Sequence, residues 1–287
     1  MSSPRKYHGI HKQQLFHWLA SPADRASENK GTLTPEIRRE YIDCLRGSLE
    51  DGIWVKTPRK PEEIKLRKFQ HPLTKAMACF TEWSLNDSLT HTREYGRMAL
   101  GFSKAWLINH GGQPITYYDH SSGSRFLKAL VTLLKNPPAD PKALEALLYL
   151  THFTKRIHKP MPPATDAQPA AKKKSTKSSA AKPAVPKLPP DPFARFWSKT
   201  MPYLEEREWR VVEHPELVTT RLLVPNAKSD TPKFFLPYKP GEELFTLVLP
   251  DNQTVNEVLR ATWFARRLFP KNGPHVTVLS LQDIGTF

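Results

Sequence analysis

The stretch Glu205 to Pro215 (EEREWRVVEHP) carries the residues whose types and spacing are best suited to chemistry. Within it, residues 207–213 are typical of a β-strand, because Trp and Val favour strands. Side chains alternate along a strand, so Glu208 and Arg210 share one face and Trp209 lies on the other. A carboxylate held on a strand can hydrogen-bond a sugar hydroxyl, orient a nucleophile or stabilise positive charge on a ribose ring. Glu208 is therefore the candidate catalytic residue, with Arg210 beside it.

The same strand has a simpler interpretation. It would be an edge strand, with Trp209 in the core and with Glu208 and Arg210 forming an ion pair in solvent. Exposed ion pairs stabilise a fold by only about 0 to 1 kcal/mol. Alternation alone does not separate this structural role from the catalytic one.

The composition indicates a globular protein with an anionic partner. The 287 residues carry a formal net charge of +15, and 39% of them are hydrophobic. A charge this far from zero favours nucleic acid or a phosphate-bearing molecule as a ligand. The two cysteines, Cys44 and Cys79, are isolated in the sequence, which is typical of a reduced cytoplasmic protein. No stretch approaches the roughly 20 apolar residues of a membrane span, so we expect no membrane segment.

Metal chemistry finds little support in the sequence. His8 and His11 are the closely spaced histidines, but no nearby cysteine or carboxylate completes a zinc site. A cluster of carboxylates for a two-metal nuclease is also not evident. We therefore predict no metal ligand.

The elements around the charged stretch alternate between helices and strands. Strands are predicted by β-branched and aromatic residues between Gly, Pro or Asn at 77–83, 97–107, 113–119, 207–213, 243–250 and 275–283. Helices are predicted from Pro35 to Gly52, from Ser122 to Lys135 with Phe126, Leu130 and Leu133 on one side, from Asp140 to Phe153, and after a capping box at Thr254–Glu257.

The order of these elements predicts an α+β fold with a mixed or antiparallel sheet and flanking helices. Residues 160–192 are rich in Pro, Ala, Lys and Ser, and they cannot bury enough surface to fold, so we expect a disordered linker. Residues 1–159 and 193–287 would then contribute strands to the same sheet system.

One predicted strand has unequal faces. Met98, Leu100 and Phe102 point one way, and Ala99 and Gly101 point the other. Such small side chains indicate that another group lies close to the backbone on that side.

The segment around this strand contains a recognisable set of residues: Cys79-Phe80-Thr81-Glu82, His91, Tyr95-Gly96, Gly101-Phe102-Ser103-Lys104, Trp106, Gly112, Pro114 and Tyr117 or Tyr118. With this set the chain resembles the AbiGi family of bacterial abortive phage resistance proteins. The resemblance covers residues 75–118 and, more loosely, 203–287. It implies a role in anti-phage defence, with an antitoxin as one form of that role.

An early histidine (His8 or His11), a helix ending in a turn at Leu49 to Ile53, a strand with Phe80 and Thr81, and a late strand with Glu208 follow one another in the sequence. This order is similar, more weakly, to the plan of ADP-ribosyltransferases, and that similarity implies a mechanism and an NAD cofactor. By this similarity His8 or His11 would contact the NAD ribose, and Glu208 would hold the ribose 2′-hydroxyl. The remaining residues implied to bind the cofactor are Phe80, Thr81, Tyr95, Tyr117 and Arg210, with Tyr95 or Tyr117 stacking on nicotinamide.

Two functions follow from these observations. The first is an NAD-dependent, ADP-ribosyltransferase-like effector that acts on nucleic acid or on a protein bound to it. The second is a basic antitoxin or regulator without enzymatic activity, which binds a toxin partner or nucleic acid. Loss of NAD-dependent activity in Glu208→Gln without loss of folding would favour the first, and salt-sensitive binding that survives this substitution would favour the second.

Overall fold

The structure is a computed structural model that describes residues 14–21, 33–58, 62–66, 68–82, 92, 95–118, 124–156, 207–229 and 232–284. These ranges contain fourteen strands: β1 (Gln14–Leu19), β2 (Ile53–Val55), β3 (Glu63–Leu66), β4 (Phe69–Pro72), β5 (Met77–Thr81), β6 (Met98–Ser103), β7 (Gln113–Pro114), β8 (Thr116–Tyr118), β9 (Thr154–Arg156), β10 (Glu208–Val212), β11 (Val224–Pro225), β12 (Phe234–Leu236), β13 (Leu244–Leu249) and β14 (Thr277–Ser280). They also contain eight helices: α1 (Pro35–Asp51), α2 (Lys104–Asn109), α3 (Arg125–Lys135), α4 (Pro141–Thr151), α5 (Pro215–Thr219), α6 (Asn252–Arg260), α7 (Thr262–Leu268) and α8 (Leu281–Ile284).

The largest sheet in the described ranges, called the main sheet, has seven strands in the order β14-β13-β6-β1-β5-β10-β7. Its neighbouring strands are antiparallel except for β13 and β14, which are parallel. A mixed sheet with flanking helices confirms the predicted α+β class. Strands from both sides of residues 157–206 take part in it. The proposed linker at 160–192 lies outside the described residues, and the division of the chain into three parts stays a prediction.

Helix α1 matches its prediction closely. The side chain of Thr34 caps it by accepting a hydrogen bond from the backbone N–H of Ile37 at 3.4 Å. It ends at Gly52, whose φ of 108° suits glycine better than other residues. The apolar residues spaced by four are all buried against the main sheet: Ile37, Tyr41, Leu45 and Leu49.

The hydrophobic core lies on the face of the main sheet that α1 covers. Alternation places Leu15, Phe80 and Leu100 on this face, and all three are fully buried. Helices α2, α6 and α7 complete the layer through Trp106, Val258 and Phe264.

The strand predicted over 97–107 is too long at its carboxyl end. β6 stops at Ser103, whose side chain accepts a hydrogen bond from the backbone N–H of Trp106 at 3.0 Å and so caps α2. Serine favours this role because its oxygen satisfies an amide that the helix leaves free. The prediction was wrong from Lys104 onward.

The unequal faces of β6 are confirmed, and the close group is Phe16 of β1. A Cβ atom added to Gly101 would lie 2.7 Å from Phe16 Cε1 and 3.0 Å from Thr246 Cβ. These distances are too short for any side chain without movement of its neighbours. The aromatic ring therefore occupies the space that the missing side chain leaves.

Helix α3 begins later, and buries a different face, than the sequence predicted. Ser124 caps it, and Leu127, Leu130 and Val131 are buried against the β3–β4 hairpin. Of the three residues predicted to share one side of the helix, only Leu130 is buried; Phe126 is 45% and Leu133 51% exposed. This helix has two overlapping apolar stripes. The one that packs on the fold contains Leu127, Leu130 and Val131, and the one that the sequence predicted contains Phe126 and Leu133.

Helix α4 also departs from its prediction at its end. It is capped by Asp140 as expected, but it stops at Thr151, and Phe153 lies beyond it. The ring of Phe153 is buried with Met77 and Val212.

The predicted capping box at Thr254 was placed wrongly. Asp251 caps α6, and it accepts hydrogen bonds from the backbone N–H of Thr254 at 2.8 Å and from its hydroxyl at 2.6 Å. A separate helix, α7, follows after Ala261.

Two predicted strands are divided in the structure. Residues 113–119 supply β7 to the main sheet and β8 to a two-stranded sheet with β9. Residues 275–283 form β14 and then α8. In each case a strand was predicted in the right place, but the segment forms two elements instead of one continuous strand.

Candidate functional site

The candidate site lies on β10, which is an inner strand of the main sheet. It pairs with β5 on one side, where Glu208 lies opposite Thr81 and Arg210 opposite Cys79, and with β7 on the other. Glu208 is 5% and Arg210 1% exposed. The interpretation as an edge strand with a solvent-exposed ion pair is therefore wrong, because residues 113–114 extend the sheet and other elements cover this face.

Glu208 and Arg210 share a face, as alternation predicted, and they form an ion pair. Arg210 Nε donates to Glu208 Oε1 at 2.7 Å. Lys155 of β9 donates from Nζ to the other carboxylate oxygen, Oε2, at 2.5 Å. Both oxygens of Glu208 are thus bound by cations.

The guanidinium of Arg210 extends the network. Its Nη1 donates to the backbone carbonyl of His152 at 2.9 Å, and its Nη2 donates to Glu62 Oε2 at 2.7 Å. Glu62, Lys155, Glu208 and Arg210, called the charge cluster below, contain two positive and two negative groups. The Glu62 side chain is 41% exposed, whereas the other three are largely buried, and buried charges require partners of opposite sign such as these.

The pKa of Glu208 reflects this arrangement. Burial raises it, but the positive charges of Arg210 and Lys155 and their hydrogen bonds lower it by more, so the pKa falls to about 2. The carboxylate is therefore charged at neutral pH. Such a group is a poor proton acceptor, although it is still a strong hydrogen-bond acceptor.

The backbone of Glu208 is held as firmly as its side chain. Its N–H donates to the hydroxyl of Tyr117 at 3.2 Å, and its carbonyl accepts from the N–H of Ile115 at 2.9 Å. Opposite it, the hydroxyl of Thr81 accepts from Trp18 Nε1 at 3.2 Å. Three of the predicted cofactor-binding residues, Thr81, Tyr117 and Arg210, thus lie beside Glu208.

The remaining predicted residues are not brought to this place by the described contacts. Phe80 is on the opposite face of the main sheet, where its ring packs against Phe102 and Trp106. Tyr95 is half-buried and precedes β6, which two strands separate from β10. His8 and His11 lie outside the described residues, and so does His91.

Three residues of the site were missed in the sequence: Lys155, Glu62 and His152. The nitrogen Nε2 of His152 accepts from the backbone N–H of Lys75 at 3.1 Å, so the proton is on Nδ1, which donates to the carbonyl of Leu148 at 2.8 Å. Burial lowers the pKa of His152, which favours this neutral form. Lys155 directly follows the segment HFT (152–154), and this change from an uncharged segment to a charged residue is the sequence signal that could have identified it.

The charge cluster joins separate elements of the fold. Glu208 and Arg210 come from the main sheet, Lys155 from β9, the carbonyl of His152 from the end of α4, and Glu62 from just before β3. Both carboxylate oxygens of Glu208 already bind cations, and the side chain is hardly exposed. The arrangement is suited to fixing these elements together more than to receiving a substrate.

Among the residues that the structure describes, no group of three or more His, Cys, Asp or Glu side chains could hold a metal ion. In the same ranges, no helix has the length and apolar character needed to cross a membrane.

Comparison with known proteins gave one family. Neither the curated proteins nor the solved structures that were compared with the chain gave a match. The similarity to ADP-ribosyltransferases is thus not shown. Residues 63–159, which supply β3 to β9 and helices α2 to α4, match the family described as "Putative abortive phage resistance protein AbiGi, antitoxin", so the resemblance to AbiGi is confirmed for this part of the chain.

Proposed function

We propose that this protein is the antitoxin of a toxin–antitoxin pair that acts in abortive phage resistance, and that it works by binding its toxin. The observation that carries the proposal is the charge cluster. Glu208, the strongest candidate for catalysis, has both carboxylate oxygens in ion pairs and is 5% exposed. A group held in this way is already bound by its own cations and is not placed to act on a substrate, although removing it would leave those cations uncompensated.

The matched family supports the same proposal independently. Its description names an antitoxin, and residues 63–159 include β9 with Lys155. The net charge of +15 favours a partner with an acidic surface. Binding of nucleic acid, the other anionic partner considered, stays a prediction.

ADP-ribosyl transfer is the second candidate function. It is favoured by one observation, the position of Thr81, Tyr117 and Arg210 beside Glu208. The described residues do not fit NAD as they stand, however, because a ribose hydroxyl would have to displace Lys155 or Arg210 from the carboxylate. We therefore derive no step of this reaction.

Co-expression tests the antitoxin proposal. The product of the gene beside this one should arrest bacterial growth when it is expressed alone, and growth should return when the full chain is co-expressed. Continued arrest with the folded chain present would overturn the proposal. Release of nicotinamide from NAD by the purified chain, at a rate above that of buffer, would favour the second candidate instead.

A further inference from the structure

Helix α3 carries an apolar stripe that the rest of the described residues leaves exposed. Phe126, Ala129 and Leu133 follow the spacing i, i+3, i+7, which places them on one side of a helix. Phe126 is 45% and Leu133 51% exposed, and Ala129 is exposed as well. Isolated exposed apolar residues are ordinary, but three on one helix side indicate a contact surface.

The stripe is distinct from the side of α3 that packs on the fold. That packed side consists of Leu127, Leu130 and Val131, which contact Ile64 and Tyr118 in a separate small core. Phe126 rests partly on this core, with its ring centroid 6.4 Å from that of Tyr118. Among the described residues, packing thus accounts for only part of the apolar circumference of α3.

The charged side chains that α3 itself carries are all positive. Residues 125–135 contain no acidic side chain, and Arg125, Lys128 and Lys135 are all exposed. Helix α4 differs, because its exposed Leu150 is accompanied by both Lys142 and Glu145. A partner that presents carboxylates around an apolar patch would be attracted by the positive charges of α3. At α4 it would meet one positive and one negative side chain, so it would gain no net electrostatic attraction there.

We infer that α3 is the toxin-binding surface, and that the segment it binds presents apolar side chains bordered by Asp or Glu. This inference rests on the proposed function and specifies which surface carries it. Helix α3 lies within residues 63–159, the part of the chain that matches the antitoxin family. The apolar stripe supplies most of the affinity, and the basic residues supply orientation and association rate.

The test is the affinity of the full chain for the product of the gene beside it, measured by titration calorimetry. Leu133→Asp should weaken binding about tenfold or more, because it places a carboxylate against an acidic and apolar partner. Leu259→Asp is the matched control, since Leu259 is a leucine on helix α6 that is 40% exposed. It should bind as the unchanged chain does.

A second variant guards against misfolding. Lys128→Glu lies on the exposed side of α3, so the fold should be unaffected, while binding weakens and becomes less sensitive to salt. Circular dichroism confirms that each variant is folded. If Leu133→Asp and Lys128→Glu bind as tightly as the unchanged chain, the α3 surface is overturned and the antitoxin proposal stands. If the unchanged chain itself does not bind, the proposed function fails and this inference fails with it.

Discussion

At the scale of single residues, Glu208 and Arg210 decide how the molecule is interpreted. A buried ion pair contributes little compared with well-packed apolar residues, but removing one partner leaves an uncompensated charge. The charge cluster avoids this by matching two positive groups with two negative ones. We therefore expect the effect of its loss to appear first in stability.

Replacing Glu208 tests that role. Glu208→Gln leaves Arg210 and Lys155 without their shared carboxylate, so the free energy of unfolding should fall by about 3 to 5 kcal/mol. The control is Glu242→Gln, which removes one partner of the exposed pair with Lys239 and should change stability by less than about 0.5 kcal/mol. Urea unfolding measures both. Equal stability of Glu208→Gln and the unchanged chain would mean that the carboxylate is not buried with its partners.

His17 should make stability depend on pH. Burial lowers its pKa to about 4, from an ordinary value of 6.5, although its hydrogen bond to the carbonyl of Cys79 acts in the opposite direction. Between these two values the unfolded chain binds more protons than the folded one, so the free energy of unfolding falls as the pH falls from 6.5 to about 4.

A variant of the same residue isolates this effect. His17→Asn keeps a hydrogen-bond donor for the carbonyl of Cys79 but does not titrate in this range. Its free energy of unfolding should therefore decline less steeply over the same pH interval, as measured by urea unfolding at several pH values. Identical slopes for the two proteins would show that His17 is protonated as easily in the folded state as in the unfolded state.

The arrangement of Glu208 and Arg210 could be predicted only in part from the sequence. Alternation was enough to place Glu208 and Arg210 on one face, because the period of a strand is fixed by its backbone. It could not tell solvent from interior, because the groups that bury the pair, such as Lys155 and the carbonyl of His152, are more than fifty residues away in the chain. Whether a strand is buried depends on packing against residues that are distant in the chain, and the sequence of that strand alone does not reveal it.

At the scale of elements, capping residues and spacing predicted α1 well, whereas α3 and β6 were harder. Helix α1 has one apolar stripe and one clear cap, so only one packing is available. Helix α3 has apolar residues on two adjacent sides, and the β3–β4 hairpin selects between them. Ser103 ends β6 by capping α2, an effect that strand propensity alone does not reveal.

Two glycines provide a prediction at this scale. Gly101→Ala should lower the free energy of unfolding by about 1 to 3 kcal/mol, because its Cβ would meet Phe16 and Thr246. Gly47→Ala is the matched control within α1, where the nearest atom to a Cβ is Trp54 Cζ2 at 3.7 Å. There the change should stabilise the helix by about 0.5 to 1 kcal/mol. Thermal unfolding that ranks the two variants in the opposite order would contradict the described contact between β1 and β6.

At the scale of the whole molecule, the main sheet unites strands from both sides of residues 157–206. The α+β class was predictable, because the types of element follow from local patterns. The strand order was not, because β1 lies between β5 and β6 through pairings that no local pattern encodes. The charge of +15 is likewise a property of the whole chain. It favours a partner of negative charge but does not identify that partner.

We propose that this chain neutralises a toxin by forming a complex with it. Sedimentation velocity of the purified full chain, mixed with the product of the gene beside it, measures this directly. We expect one faster boundary that contains both proteins. Two boundaries that move as the separate proteins do, at concentrations where growth is protected in the cell, would contradict it.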